Sequence, residues 1–116
     1  MKEKFIDENK GIGYLNIRAS FANSALPVVG VRVVVSKIID NEKIIFYEGV
    51  TDDVGSISNI KLYTPIEDDD NLITPVSSDY DIEAYYNNQS LYFKIKMYPN
   101  IKVLQNINIV PSMEVI

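Results

Sequence analysis

The segment Thr51-Asp52-Asp53-Val54-Gly55 lies between two stretches of β pattern, residues 44–50 and 57–64. Aspartate is favoured early in tight turns because its carboxylate accepts hydrogen bonds from the backbone N–H groups that follow it. Glycine readily adopts the positive φ that the return of the chain requires. The segment therefore predicts a turn, and we expect this turn to join the two flanking strands into a hairpin.

The rest of the chain repeats this succession of strand and turn. Apolar residues recur at every second position, as on the half-buried face of a β-strand, and no repeat of period 3.6 is long enough to predict a helix. Turn and breaker residues such as Asp40-Asn41 and Pro65 separate the runs. The predicted strands cover residues 14–21, 31–36, 43–50, 57–64, 79–86, 91–98 and 101–110.

The size and composition of the chain indicate one globular domain. Its 116 residues are 47% hydrophobic and 23% charged, which is enough apolar surface for one core. We expect a flexible lead over residues 1–12, one domain over 13–111 and a short tail over 112–116. Seven antiparallel strands with one apolar face each bury those faces between two packed sheets. The sequence thus predicts an all-β sandwich.

Composition also excludes several classes of function. The net charge of −5 argues against nucleic acid binding, which depends on clustered lysine and arginine. A charged N-terminus predicts no signal peptide, and no apolar run is long enough to predict a transmembrane segment. We therefore expect a cytoplasmic protein, or one assembled into a spore, envelope or phage structure without classical secretion. Because histidine and cysteine are both absent, we expect neither an enzyme nor a cofactor.

Several motifs occur in an order that resembles a known family. They are Gly13-x-Leu15-x-Ile17, Pro27-Val28-Val29-Gly30-Val31-x-Val33, Thr51-Asp52-Asp53-Val54-Gly55, Ile60-x-Leu62, Tyr80-x-Ile82-x-Ala84 and Ile107-x-Ile109-x-Pro111. Together they resemble the transthyretin-like, carboxypeptidase-regulatory-like domains over residues 13–111. The resemblance implies a seven-stranded Greek-key sandwich similar to modules attached to peptidoglycan-acting and spore-cortex-lytic proteins of Gram-positive bacteria. This chain has Asn87-Asn88-Gln89-Ser90 where the family usually has Gly-Tyr, so no function of that tip is transferred.

The residues of these motifs have structural roles that follow from their chemistry. Proline fixes φ, and glycine permits a bend where the chain changes sheets, so Pro27 and Gly30 are expected to shape the start of the second strand. Asp52 and Asp53 are interpreted as turn caps rather than metal ligands. The acidic run 67–70 lacks the alternating pattern of a calcium loop. We therefore predict a solvated acidic face there and no bound metal.

Recognition of a partner is the function that the residue pattern favours. Eight tyrosines are many for a chain of this size, and exposed tyrosine rings suit contacts with a protein or a cell-wall glycan. The alternative is that these rings only cover a sheet face or form cross-strand pairs. A structural subunit that self-associates through edge strand 101–110 is a second hypothesis. The candidate binding residues are Tyr63, Tyr85, Tyr92 and Tyr98.

Overall fold

The computed structural model describes residues 1–22, 25–66 and 76–111. Each predicted strand overlaps a strand of the structure, because alternation of apolar and polar residues directly reflects burial on one face of a sheet. The elements are α1 (Lys2–Glu8), β1 (Gly11–Phe21), β2 (Arg32–Ile39), β3 (Glu42–Val50), β4 (Ser56–Thr64), β5 (Ser78–Tyr86), β6 (Gln89–Met97) and β7 (Lys102–Ile109).

Two sheets enclose the core, which confirms the prediction of an all-β sandwich. One sheet has the strand order β4-β1-β7, and the other has the order β3-β2-β5-β6. The buried residues are the apolar members of each alternation, so the sequence pattern and the core coincide. Fully buried side chains include Leu15, Ile17, Val33, Val35, Leu62, Ile82, Met97 and Ile107.

One strand pair corrects the expectation of a wholly antiparallel sandwich. β7 runs parallel to β1, with Leu15 opposite Val103 and Phe21 opposite Ile109. The strand before β7 lies in the other sheet, so no hairpin dictates the direction in which β7 enters its own sheet. A period of two residues reports which side chains are buried and carries no information on strand direction.

The hairpin predicted at Thr51-Asp52-Asp53-Val54-Gly55 is also wrong. β3 belongs to the four-stranded sheet and β4 to the three-stranded sheet, so this turn carries the chain across the sandwich. The hairpins lie elsewhere, and the β2–β3 hairpin turns at Asp40 and Asn41, which have φ values of 50° and 67°. The residues that favour a tight turn serve both kinds of connection equally well.

The N-terminal residues differ from the flexible lead predicted over 1–12. They form α1, whose Phe5 ring packs edge-on against Phe46 with ring centroids 5.5 Å apart. The Lys2 ammonium donates to the Ile45 carbonyl at 3.0 Å, and β1 begins at Gly11. A helix of seven residues is too short to reveal a helical period in the sequence. The predicted tail 112–116 lies outside the described residues.

Candidate functional site

The buried hydroxyl group of Thr51 connects the turn after β3 to the segment that leads into β2. Its Oγ1 atom donates to the Val28 carbonyl at 2.7 Å and accepts from the Val31 N–H group at 3.0 Å. The side chain is only 2% exposed. Thr51 therefore fixes the segment that leads into β2 against the turn that follows β3.

The acidic residues of the same turn differ in their roles. The Asp52 carboxylate accepts from the backbone N–H groups of Val54 at 3.1 Å and Ser56 at 2.8 Å, as expected of a turn cap. Asp53 is exposed. In the described ranges no group of three or more histidine, cysteine, aspartate or glutamate residues is arranged to hold a metal ion. The acidic run 67–70 lies outside those ranges.

Glycine is required at two places in this region. Gly55 has a φ of 76°, and a Cβ atom there would collide with the Ala19 carbonyl oxygen. Gly30 has a φ of 82° but faces open space. Pro27 bridges to Ser20 beside the same loop. These motif residues thus occupy the junction between β1, β2 and β4 and build the fold.

The segment Asn87-Asn88-Gln89-Ser90 has a structural role as well. The Gln89 side chain donates to the Val110 carbonyl at 2.5 Å and accepts from the Val110 N–H group at 3.1 Å. Gln89 begins β6 in the four-stranded sheet, and Val110 follows β7 in the three-stranded sheet. The side-chain amide therefore ties the ends of two strands from opposite sheets.

The four tyrosines predicted as a binding surface do not lie together. Tyr85 and Tyr92 lie on the outer face of the four-stranded sheet, where Tyr85 is opposite Ser90 and Tyr92 is opposite Glu83. Tyr63 belongs to β4 of the other sheet, and Tyr98 follows the end of β6. Tyr92 is the most exposed of the four, at 65%. The structure therefore divides the predicted surface among three places.

The charged side chains on the outer face of the four-stranded sheet form ion pairs with one another. Arg32 contacts Glu48 at 2.9 Å, and Lys96 contacts Asp79 at 3.1 Å. Glu83 accepts from Lys43 and from the Tyr85 hydroxyl. These two bonds, the Lys43 bond first, lower the pKa of Glu83, while the same contacts raise the pKa values of Lys43 and Tyr85.

Long side chains also cover the centre of that face. Val34, Ser36 and Asp81 alternate outward, yet all three are buried, Asp81 to 9% exposure. Among the described residues the Asp81 Oδ1 atom has no hydrogen-bond partner, and the Lys94 ammonium lies 3.9 Å from it. Of the three outward carboxylates on β5, Asp79, Asp81 and Glu83, only Asp79 is well exposed, and it pairs with Lys96. Few charged side chains on this face are therefore available to bind a partner.

The three-stranded sheet has the opposite character. Its strands contain three cationic residues, Arg18, Lys61 and Lys102, and no aspartate or glutamate. All three cations are exposed, and none forms a salt bridge with another residue in the described part of the chain. We call the outward-facing side chains of β1, β4 and β7 the cationic face. On a chain with a net charge of −5, this concentration of unpaired positive charge is the main candidate for a binding surface.

The strand register places an exposed tyrosine between two of these cations. Tyr14 of β1 is opposite Lys61 of β4 on one side and opposite Lys102 of β7 on the other. Tyr14 is 36% exposed. Tyr63 lies on the same face, with the Lys61 ammonium 5.7 Å from its ring centroid. Tyr14 alternates with the buried residues of β1, and its two lysine neighbours become apparent only when the sheet order is known.

A β-bulge between β1 and β4 lies in the middle of the cationic face. Two residues of β4 lie opposite the single residue Asn16 of β1, where the register shifts. The Asn16 side chain accepts from the Asn59 N–H group at 2.7 Å, and Asn59 has a φ of 59°. Asparagine tolerates this left-handed conformation better than most residues. The bulge is therefore built from two asparagines that fit it.

Comparison with known proteins adds no family or relative to these observations. No protein-family model matches the chain, and no curated protein matches it. Within residues 1–22, 25–66 and 76–111, no helix combines the length and the apolar character needed to cross a bilayer.

Proposed function

We propose that the protein is a non-catalytic accessory or interaction module that binds a partner on the cationic face. The observation that carries this proposal is the contrast between the two sheets. The four-stranded sheet pairs Arg32, Lys43, Lys94 and Lys96 with carboxylates of its own. The cationic face has no such pairs among the described residues, so its charges can be neutralised by a partner.

The non-catalytic part of the proposal rests on composition. The chain has no histidine and no cysteine, so it lacks the residues that most often act as general base, thiol nucleophile or zinc ligand. The Asp52 carboxylate is occupied as the cap of the turn after β3. A module of this kind binds or positions other components of an assembly and does not catalyse a reaction.

The family and the cellular context belong to the same proposal. The motif order over residues 13–111 supports a transthyretin-like, Greek-key arrangement of the strands. We infer a bacterial envelope or spore context from the same motifs, with a protein or a cell-wall glycan as partner. The placement of Pro27, Gly30, Thr51 and Gly55 at one junction of the sandwich is consistent with a motif that maintains a fold.

Binding to isolated cell walls and envelope proteins tests this function. We would mix the full chain with purified Gram-positive sacculi and, separately, with solubilised envelope proteins, and measure the fraction retained. The test variant replaces Arg18, Lys61 and Lys102 by glutamine. The matched control replaces Lys4, Lys94 and Lys96, which are exposed cations outside the cationic face. Both variants change the net charge equally.

We expect retention of the unmodified chain and of the control, and loss of retention for the test variant. Equal retention of all three proteins would show that the cationic face is not the binding surface. Equal loss from both variants would show that only net charge matters. Both variants should fold, because exposed ion pairs contribute only about 0–1 kcal/mol each. Melting curves followed by circular dichroism check this.

A self-associating structural subunit is the alternative function, and β7 is the observation that favours it. β7 is an edge strand, and the exposed side chains of Ile101, Leu104 and Val110 lie on or beside it. An exposed apolar edge can pair with a second copy. Sedimentation velocity at increasing protein concentration distinguishes the two functions. Concentration-dependent oligomers that vanish in a Leu104→Lys variant would favour the structural subunit.

A further inference from the structure

We propose that the partner of the cationic face is a carboxylated polysaccharide, bound along β1 with Tyr14 as the central contact. This inference rests on the function proposed above and specifies its ligand. It is carried by the cross-strand row of Lys61, Tyr14 and Lys102. The row places one aromatic ring between two cations on a continuous sheet.

The geometry of this row suits a chain of acidic sugars. Neighbouring strands lie about 4.8 Å apart, so the backbone positions of the two lysines are separated by about 10 Å with the Tyr14 ring between them. Tyrosine presents a flat amphipathic surface on which a sugar ring can stack. Lysine ammonium groups then reach carboxylates on either side of the stacked ring.

The face also continues along the strands beyond this row. Arg18 lies two residues after Asn16 on the same face of β1, and it is opposite Asn106 of β7. Asn108, also exposed, is opposite Ser20. From Tyr14 to Ser20 the strand extends about 20 Å, at about 3.3 Å per residue. A polymer can therefore contact the face at several successive points.

The polar side chains of the face favour a glycan over an acidic protein segment. Protein interfaces usually have an apolar core with a polar rim. Here Leu104, at 56% exposure, is the one large aliphatic side chain at an outward β7 position. Asn106 and Asn108 instead offer amides that donate and accept at once, as sugar hydroxyl groups require. The ligand class with hydroxyl groups and regular negative charge is an acidic polysaccharide.

Three defined polymers test the inference with the full chain. They are polygalacturonate, the same polymer after chemical reduction of its carboxylates to alcohols, and poly-L-glutamate. Affinity electrophoresis and isothermal titration calorimetry at low ionic strength give the dissociation constants. We expect binding to polygalacturonate, and affinity at least about tenfold lower for the other two polymers. Binding should weaken as salt is added, because salt screens exposed charges.

Two pairs of variants separate the ring and the charges from nonspecific effects. Tyr14→Ala and the double variant Lys61→Gln with Lys102→Gln should each weaken polygalacturonate binding by about tenfold. The matched controls are Tyr92→Ala and the double variant Lys94→Gln with Lys96→Gln, which make the same types of substitution on the four-stranded sheet. These controls should bind as the unmodified chain does. Melting curves of all variants confirm that loss of binding is not loss of fold.

Each other outcome overturns the inference in a distinct way. Equal affinity for the reduced polymer would exclude recognition of carboxylates, and tighter binding of poly-L-glutamate would identify an acidic protein segment instead. If none of the polymers binds while envelope proteins are still retained through the cationic face, the glycan inference fails and the proposed function stands. If retention of sacculi and envelope proteins is also independent of the face, both fail.

Discussion

The Tyr80 hydroxyl of the four-stranded sheet donates to the Tyr63 carbonyl of the three-stranded sheet at 2.6 Å, and it accepts from the Tyr63 N–H group at 3.1 Å. Tyr63 lies on β4, which is an edge strand of its sheet in the described part of the chain. One buried hydroxyl thus satisfies both backbone groups and joins the sheets. Burial raises the pKa of Tyr80, so the hydroxyl keeps its proton throughout the physiological range.

Tyr80→Phe should lower the free energy of unfolding by about 1–3 kcal/mol, because the Tyr63 backbone groups lose their partner inside the sandwich. Urea unfolding followed by circular dichroism measures the change. Tyr92→Phe removes a hydroxyl from an exposed ring and should change stability by less than about 0.5 kcal/mol. A Tyr80→Phe protein as stable as the Tyr92→Phe control would mean that water replaces the hydroxyl at no cost.

The sequence predicts which faces are buried better than it predicts how the strands connect. Tyr80, Ile82 and Ala84 alternate in the sequence and are all buried. The same alternation cannot show that β7 runs parallel to β1, or that the turn after β3 crosses to the other sheet. Burial depends on local chemistry, whereas connection depends on which distant strands pair. Both corrections of the fold are of this second kind.

Gly55→Ala should destabilise the protein more than Gly30→Ala. Both glycines have positive φ, which costs a residue with a Cβ atom about 1–2 kcal/mol. At Gly30 the new methyl group meets open space, whereas at Gly55 it collides with the Ala19 carbonyl oxygen. The backbone must then shift, at a further cost of about 1–3 kcal/mol. Thermal unfolding of the two variants in parallel tests this order, and equal midpoints would contradict it.

Thr51→Val should lower the free energy of unfolding by about 1–3 kcal/mol. Valine matches the shape of threonine but leaves the Val28 carbonyl and the Val31 N–H group without their buried partner. Thr64→Val is a suitable comparison, because among the described residues the buried Thr64 hydroxyl makes only one long bond, 3.3 Å, to the Pro65 carbonyl. Chemical denaturation gives the free energy of unfolding of both variants. The prediction fails if Thr64→Val lowers it more than Thr51→Val does.

The candidate surface could be predicted only in part. Tyrosines on polar faces indicate that some exposed rings exist, but they do not indicate which rings are neighbours. Tyr14, Lys61 and Lys102 are separated by more than forty residues from one to the next, and only the sheet order brings them into one row. The absence of carboxylates from β1, β4 and β7 is visible in the sequence. It becomes informative once these strands are known to share a sheet.

Acid should remove the stabilisation that the Glu83 carboxylate contributes to the fold. The bonds from Lys43 and Tyr85 lower the pKa of Glu83 in the folded state. Their stabilisation is therefore complete above the pKa of glutamate in the unfolded chain, about 4.3, and is lost as pH falls through the lowered folded value. The stability difference between the unmodified protein and Glu83→Gln should shrink from neutral pH to about pH 3. Urea unfolding across this range measures it, with the exposed Glu42→Gln as control. A difference that stays constant over the range would show that Glu83 contributes through packing rather than through its charge.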